Sequence, residues 1–448
     1  MPRPPVKIAL LHYTGGGNLG DQASVDAVID SIRNRWPDSK IALLSMNPTE
    51  TAKIHAVTSY PLRTYTWSVG YSSAEKTNEG SRFPLLGWLR WTRTPVVMLP
   101  RGVLRELAFF VSALRIMRHF NLLIVSGGGQ LTGKSGPWGF PYGILIWFLA
   151  ARLTGTRRML LNVGAGPLTE PLTKFLVLRA LRASNYVSLR DEPSQALVHS
   201  IGFAGESRVF PDNVYALVPP PAIASRKTVN GTPVVGVSPL AYPSRSFHIA
   251  EHKAAYEAVM LKFATFTSAL IKRGYEVELF GTDIGEDPAT IEDLQSVLRD
   301  RYGIDTVPYN RTSQVQQLLR NMSRMDYVVT SRFHGVVFAH LLNKPVLAVA
   351  PHPKVSDHMA ALGLSQYCAD IRTFDPSRLT EVFDELVRDR FNIEHRLADR
   401  LVQYRLLLEK QFDSLFPQGK VIDVCRPSAS TAFALRDTGH KNSVNFQR

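Results

Sequence analysis

The strongest constraint on this chain is an alternation that runs most of its length. Short apolar runs of a strand's size are separated by longer stretches of helical periodicity. Residues 6–12, 41–45, 122–126, 159–163 and 186–189 read as strands in the first half, and 234–237, 276–280, 327–330 and 345–350 in the second. Most of these runs are apolar nearly throughout, not at every second position, as strands buried on both faces should be. Helical stretches fall between them, from the turn at 15–20 to about residue 36 and near 104–118, 142–153, 251–273, 291–302 and 314–322. Such alternation specifies parallel sheets covered by helices on both sides.

The pattern breaks at residues 218–233, VPPPAIASRKTVNGTP, which are rich in Pro, Ser, Thr and Gly and read as a linker. The expected class is therefore α/β, with two doubly wound, Rossmann-like domains at 1–217 and 234–392. A helix over 393–417, with Leu397, Leu401, Leu408 and Phe412 at helical spacing, would close the structure. Residues 418–448 have no clear pattern and are expected to be loosely ordered. Glycosyltransferases of the GT-B architecture are built this way with the site in the interdomain cleft, as are other folds.

Composition narrows the partners. A formal charge of +14 and a pI near 9.8 point to something anionic. The basic residues are scattered, with no zinc finger, RNA-recognition motif or Lys/Arg block, which argues against nucleic acid. Two cysteines, Cys368 and Cys425, fit a reducing compartment without a disulfide framework. The N-terminus lacks the apolar core of a signal peptide, and the apolar stretches 107–114 and 142–151 are too short to span a bilayer. A cytoplasmic protein is expected. Residues 82–105 mix five arginines with Phe83, Trp88, Trp91 and several leucines. They read equally as a segment resting on an anionic membrane surface or as a loop packed on its own domain.

Candidate functional residues fall at strand ends, where open α/β sheets bind ligands. Arg332 and His334 come just after the strand at 327–330, and Lys354 lies in the loop after the strand at 345–350. One strand–helix–strand unit thus aims two cations and an imidazole at a single edge, which suits an anionic substrate needing a proton moved. Singly, each reads as well as a cap, a packed histidine or a surface charge; the convergence carries the argument. In the first half, Gly15, Gly17 and Gly20 meet the dinucleotide spacing, but the second strand ends Ser45-Met46-Asn47 with no acid for a ribose. A nicotinamide enzyme is disfavoured. The same turn carries Asn18, Asp21 and Gln22, suited to sugar hydroxyls; Asp21 reads equally as a base or as the helix cap. Gly127–Gly129 and Gly164–Gly166 end two further strands, as tight turns or as places where ligand approaches the backbone. No cluster has metal-ligand spacing.

Together these residues resemble a known family. Asn18-Leu-Gly-Asp-Gln22, the triple glycine at 127–129, Gly164-Ala-Gly-Pro167, Ser188-Leu-Arg-Asp-Glu192 with Ser194, Pro211-Asp212, Ser331-Arg-Phe-His334, Lys344-Pro345 and Pro353-Lys354 keep the order of the polysaccharide pyruvyl transferase family, from about residue 6 to 364. Members resemble GT-B glycosyltransferases in fold and take phosphoenolpyruvate as donor, placing its pyruvyl group on two sugar hydroxyls as a ketal. The resemblance assigns Arg190, His334 and Lys354 to donor binding and catalysis, with Arg332 as companion. It leaves Asn18, Asp21, Gln22, Gly128 and Gly129 on the acceptor side. It also implies a sugar or lipid-linked oligosaccharide acceptor, work at the inner face of the plasma membrane, and no metal or organic cofactor. The loop Ala350-Pro-His-Pro353 departs from the aromatic and acid common in members, and residues 68–101 match nothing familiar. Two rivals stand beside this reading: a nucleotide-sugar glycosyltransferase of the same architecture, and a non-catalytic glycan-binding subunit.

Overall fold

The computed structural model describes residues 5–13, 17–63, 103–134, 136–220, 231–243 and 250–417. Gly15, most of 82–105, most of the expected linker and all of 418–448 lie outside them. The chain builds two parallel sheets. The first contains β1 (Lys7–Leu11), β2 (Lys40–Ser45), β3 (Thr58–Pro61), β4 (Leu122–Ser126), β5 (Arg157–Val163), β6 (Tyr186–Leu189) and β7 (Arg208–Val209), ordered β3-β2-β1-β4-β5-β6-β7. The second contains β8 (Val234–Ser238), β9 (Glu276–Leu279), β10 (Tyr327–Thr330), β11 (Val346–Ala350) and β12 (Cys368–Asp370), ordered β12-β11-β10-β8-β9. Strand order reverses between β1 and β4 and again between β8 and β10, and each reversal opens a crevice at the strands' carboxyl ends. Every residue of β4, β8, β10 and β11 is buried, which is why these segments are apolar throughout.

Helix α1 (Leu19–Arg35) covers one face of the first sheet. On the other lie α3 (103–117), α4 (Phe140–Leu153) and α5 (Pro171–Arg182), while α2 (Pro48–His55) and α6 (Glu192–Ser200) sit between strands. The second sheet carries α7 (Ala250–Lys272), α8 (Asp287–Tyr302), α9 (Val315–Ser323), α10 (Phe333–Leu341), α11 (Pro353–Ala361) and α12 (Pro376–Arg388). Part of α7, His252–Lys272, is long and apolar enough to cross a membrane, although its sequence does not announce a span. It buries Met260, Phe263, Phe266 and Leu270 in the second lobe's core instead. That core is continuous with the apolar face of α1, so the lobes share one hydrophobic body.

The closing helix, α13 (Arg390–Leu415), begins three residues before the expected 393. Its first turns bury Ile393 and Leu397 in the second lobe. Its last turns reach the first lobe, where Phe416 meets Trp36 edge-on at 5.2 Å and Arg35 pairs with Asp413 at 2.8 Å and with Glu409. Gln411 is buried and exchanges two 2.8 Å hydrogen bonds with the side-chain amide of Asn162, also donating to Tyr186 Oη at 2.9 Å. Asn162 has φ +52°, where the β5–β6 register shifts, a left-handed conformation that Asn tolerates better than most residues. Replacing Gln411 with Leu leaves buried amide groups short of partners, so stability should fall by about 1–3 kcal/mol. Urea unfolding should show a lower midpoint with an unchanged slope.

Candidate active site

The two crevices meet across the lobes. Leu19 N–H donates to Thr282 O at 2.8 Å, and Ile284 N–H donates to Gly17 O at 2.9 Å, so the loop after β9 clasps the turn entering α1. Gly17 has φ +88°, and a Cβ there would lie 2.8 Å from Ile284 Cγ1; both facts require glycine. Asn18 is the helix cap, its Oδ1 accepting from Gly20 N–H at 2.9 Å and Asp21 N–H at 3.2 Å. Of the two roles left open for Asp21, capping is therefore taken by Asn18. Among the described residues the Asp21 carboxylate has no hydrogen bond or ion pair. Gly20 faces the other lobe directly: a Cβ on it would fall 1.9 Å from His334 Cγ. The imidazole of the second lobe lies against the first turn of α1.

Around His334 the cations gather on one aromatic ring. Arg190, at the end of β6, places its guanidinium 4.4 Å from the centre of the Phe333 ring, and Lys354 Nζ lies 5.7 Å from the same centre. The Phe333 and His334 rings are 5.3 Å apart. Gly164 makes room for Arg190, since a Cβ there would sit 2.6 Å from its Nε. Arg190 Nη1 donates to Asp212 at 3.2 Å and Nε to Asp191 at 3.3 Å. Lys354 forms no ion pair among the described residues. Burial, then Arg190 and Lys134, push its ammonium down to about 7 against the pull of Asp21. Burial, then Arg190, Lys354 and Arg332, hold His334 well below the usual imidazole range, and among the described residues its Nε2 has no hydrogen-bond partner. No side chain caps α10, whose first turn begins at Phe333. An anion arriving here would meet the buried guanidinium of Arg190, the more exposed ammonium of Lys354 and a helix N-terminus without a side-chain cap.

The other expected residues occupy different stations. Arg332 donates from Nε to Asp287 Oδ1 at 2.8 Å and from Nη2 to Glu286 at 3.1 Å. Asp287, fully buried, also accepts from Thr282 N–H at 2.7 Å and Asp283 N–H at 2.9 Å. Arg332 thus holds the clasping loop, contributing to the site through its charge. Gln22 is buried within α1. A Cβ on Gly128, at φ +63°, would lie 3.1 Å from Asp21 Oδ1 and 2.9 Å from His12 Nε2, whereas Gly129 faces open space. Burial, opposed by Lys354 and Arg190, lifts Asp21 to about 7.

Three participants are not apparent from sequence. Phe333 stands inside the Ser331–His334 motif as a mere spacer. His12, hydrogen-bonded to Gln130 at 3.1 Å and pushed down to about 3 by burial and then His55, looks in sequence like the last residue of an apolar strand. His358 is pushed down to about 4 by burial and bonds Tyr215 Oη at 3.0 Å. Nothing in its helical context marks it out.

The fold favours neutral Lys354, so it adds stability as pH rises from about 7 toward the ordinary lysine value, where the unfolded chain holds more protons. Methyl-lysine NMR of the reductively methylated protein should show one lysine titrating near 7. That signal should vanish in Lys354→Met.

No curated protein matches the sequence. Among solved structures, UDP-GlcNAc 2-epimerase of Neisseria meningitidis bound to UDP-GlcNAc is 12% identical with a TM-score of 0.52, covering 88% of this chain and 94% of that one. The enzyme of the same name from Methanocaldococcus jannaschii is 9% identical at 0.52, covering 85% and 92%. At such identity the likeness is one of fold, two facing Rossmann-like lobes of GT-B type. The sequence model of polysaccharide pyruvyl transferases matches residues 18–353, well over half the chain and the span that holds the clustered Arg190, Phe333 and His334. This chain belongs to the polysaccharide pyruvyl transferase family.

Proposed function

We propose that this protein transfers the pyruvyl group of phosphoenolpyruvate to two hydroxyls of one sugar, in a polysaccharide or its lipid-linked precursor, forming a cyclic ketal and releasing phosphate. The observation that carries the reading is the gathering of Arg190, Lys354 and His334 on Phe333, with an unpaired Asp21 across the cleft. A small donor bearing both carboxylate and phosphate supplies a counter-charge for Lys354, which forms no ion pair among the described residues. Arg190 binds an oxyanion through its planar fork and Lys354 acts as a point charge. No metal or organic cofactor is needed, because these two cations neutralise the leaving phosphate.

Donor binding reverses the electrostatics at His334. The negative charge that arrives offsets the cations that keep the imidazole neutral, so His334 takes up a proton and becomes a general acid. It delivers that proton to the methylene carbon, and the adjacent carbon gains oxocarbenium character. One sugar hydroxyl attacks that carbon and yields its proton to Asp21, whose raised pKa suits a base working near neutrality. The carbon–oxygen bond to phosphate then breaks, phosphate leaving with the electron pair. The second hydroxyl closes the ring and its proton ends on phosphate. The Gly128–Gly129 turn beside Asp21 lets the acceptor approach the backbone.

Labelled phosphoenolpyruvate should transfer its pyruvyl group to one of a panel of lipid-linked oligosaccharides with release of phosphate. His334→Ala should lower that rate by about 10²–10⁴-fold while unfolding stays cooperative. Transfer from nucleotide sugars, or acceptor binding with no phosphate release, would overturn the reading. Gly20→Ala should cost about 100-fold by displacing the imidazole, although it touches neither substrate.

A further inference from the structure

The helical layer α3–α5 on the outside of the first lobe has a surface that catalysis does not explain. Its inner side is ordinary, burying Ala113, Met117, Trp147, Phe148, Val177 and Leu181 against the sheet. The outer side of such helices should be polar. Here Leu104, Leu107 and Val111 lie on the exposed side of α3, Leu149 and Leu153 on that of α4, and Phe175 on that of α5. Leu104 is 64% exposed, Leu153 69% and Phe175 55%. Trp138, just before α4, is 61% exposed. Scattered exposed leucines need no explanation. Among the described residues, however, more than half of the exposed large apolar side chains fall between 103 and 175.

The charges on the same helices choose the occupant. Arg105, Arg115, Arg152, Lys174, Arg179 and Arg182 stand against one acid, Glu106, which accepts a 3.1 Å hydrogen bond from Tyr142 Oη. Leucine, tryptophan and phenylalanine among cations that form no ion pair among the described residues, nearly without carboxylates, are the side chains of an interfacial membrane surface. A second copy would bring six cations against six across a twofold axis. Nucleic acid would leave the leucines in water. We propose that this face docks on an anionic membrane, its apolar side chains entering the headgroup boundary and its cations pairing with lipid phosphates. Residues 103–105, the described end of the basic and aromatic stretch 82–105, lie on it. The proposal does not depend on the pyruvyl-transfer reading.

The test is sedimentation of the full chain with vesicles of phosphatidylglycerol and phosphatidylethanolamine, against phosphatidylcholine alone. Binding should require the anionic lipid and fall by about tenfold as salt rises to about 0.5 M. Leu104→Ser with Leu107→Ser and Val111→Ser should lower the bound fraction by about tenfold, as should Arg105→Glu with Arg115→Glu. These side chains are exposed, and unchanged thermal unfolding of each variant separates a docking effect from a folding one. The proposal fails if the wild type stays in the supernatant, binds both lipids equally, or binds as well after substitution. It also fails if light scattering shows a dimer that the serine variant dissociates, which would assign the face to a second copy.

Discussion

The site depends on an electrostatic tension between groups of like sign. Arg190 from the first lobe and Lys354 from the second are drawn over the same phenyl ring, with a buried imidazole beside them. Ring faces attract cations, but by about 0.5–2 kcal/mol each, which is less than isolated buried charges cost. The shortfall appears in the titration of Lys354 and His334, both driven toward neutrality. A doubly charged anion entering such a pocket would offset the like charges that hold Lys354 and His334 toward neutrality. Under the proposed reaction, that offset would couple donor binding to proton transfer.

Holding such groups together takes structure from both lobes. Gly20 and Gly164 remove the side chains that would collide with His334 and Arg190. The paired backbone hydrogen bonds between residues 17–19 and 282–284 fix the turn entering α1 to the second lobe. Arg332 and Asp287 fix the clasping loop in turn, with Asp287 accepting from two of that loop's amides. Arg332 was expected to touch the donor; the geometry gives it first to the scaffold. A residue can serve a charged site from behind, because its field still reaches Lys354 and His334.

Much of this was legible in the chain. Apolar runs without alternation announced parallel strands, and both sheets formed from them. The grouping of Arg332, His334 and Lys354 came from the rule that ligands sit outside strand carboxyl ends, and the family resemblance added Arg190 to it. Short elements escaped notice: β3, β7 and β12 have two to four residues and little apolar character, being edge strands. The long helix α7 was legible near 251–273, but not its capacity to span a membrane, since its hydropathy is diluted by Lys253, Glu257 and Lys262. The role of Phe333 was hidden for a different reason. Sequence shows which residues succeed a strand, but not which ring two distant cations will share.

The exchange of hydrogen bonds between Asn162 and Gln411 also bears on how this protein is made. Some 249 residues separate the partners. As the chain leaves the ribosome, the first sheet is complete in sequence long before the amide that satisfies its central kink has been synthesised. Until α13 emerges and wraps back, Asn162 and Ser188 sit in a half-finished lobe whose apolar face on α1 also awaits its neighbour. A chain that stops short of residue 411 leaves the two lobes without this fastening.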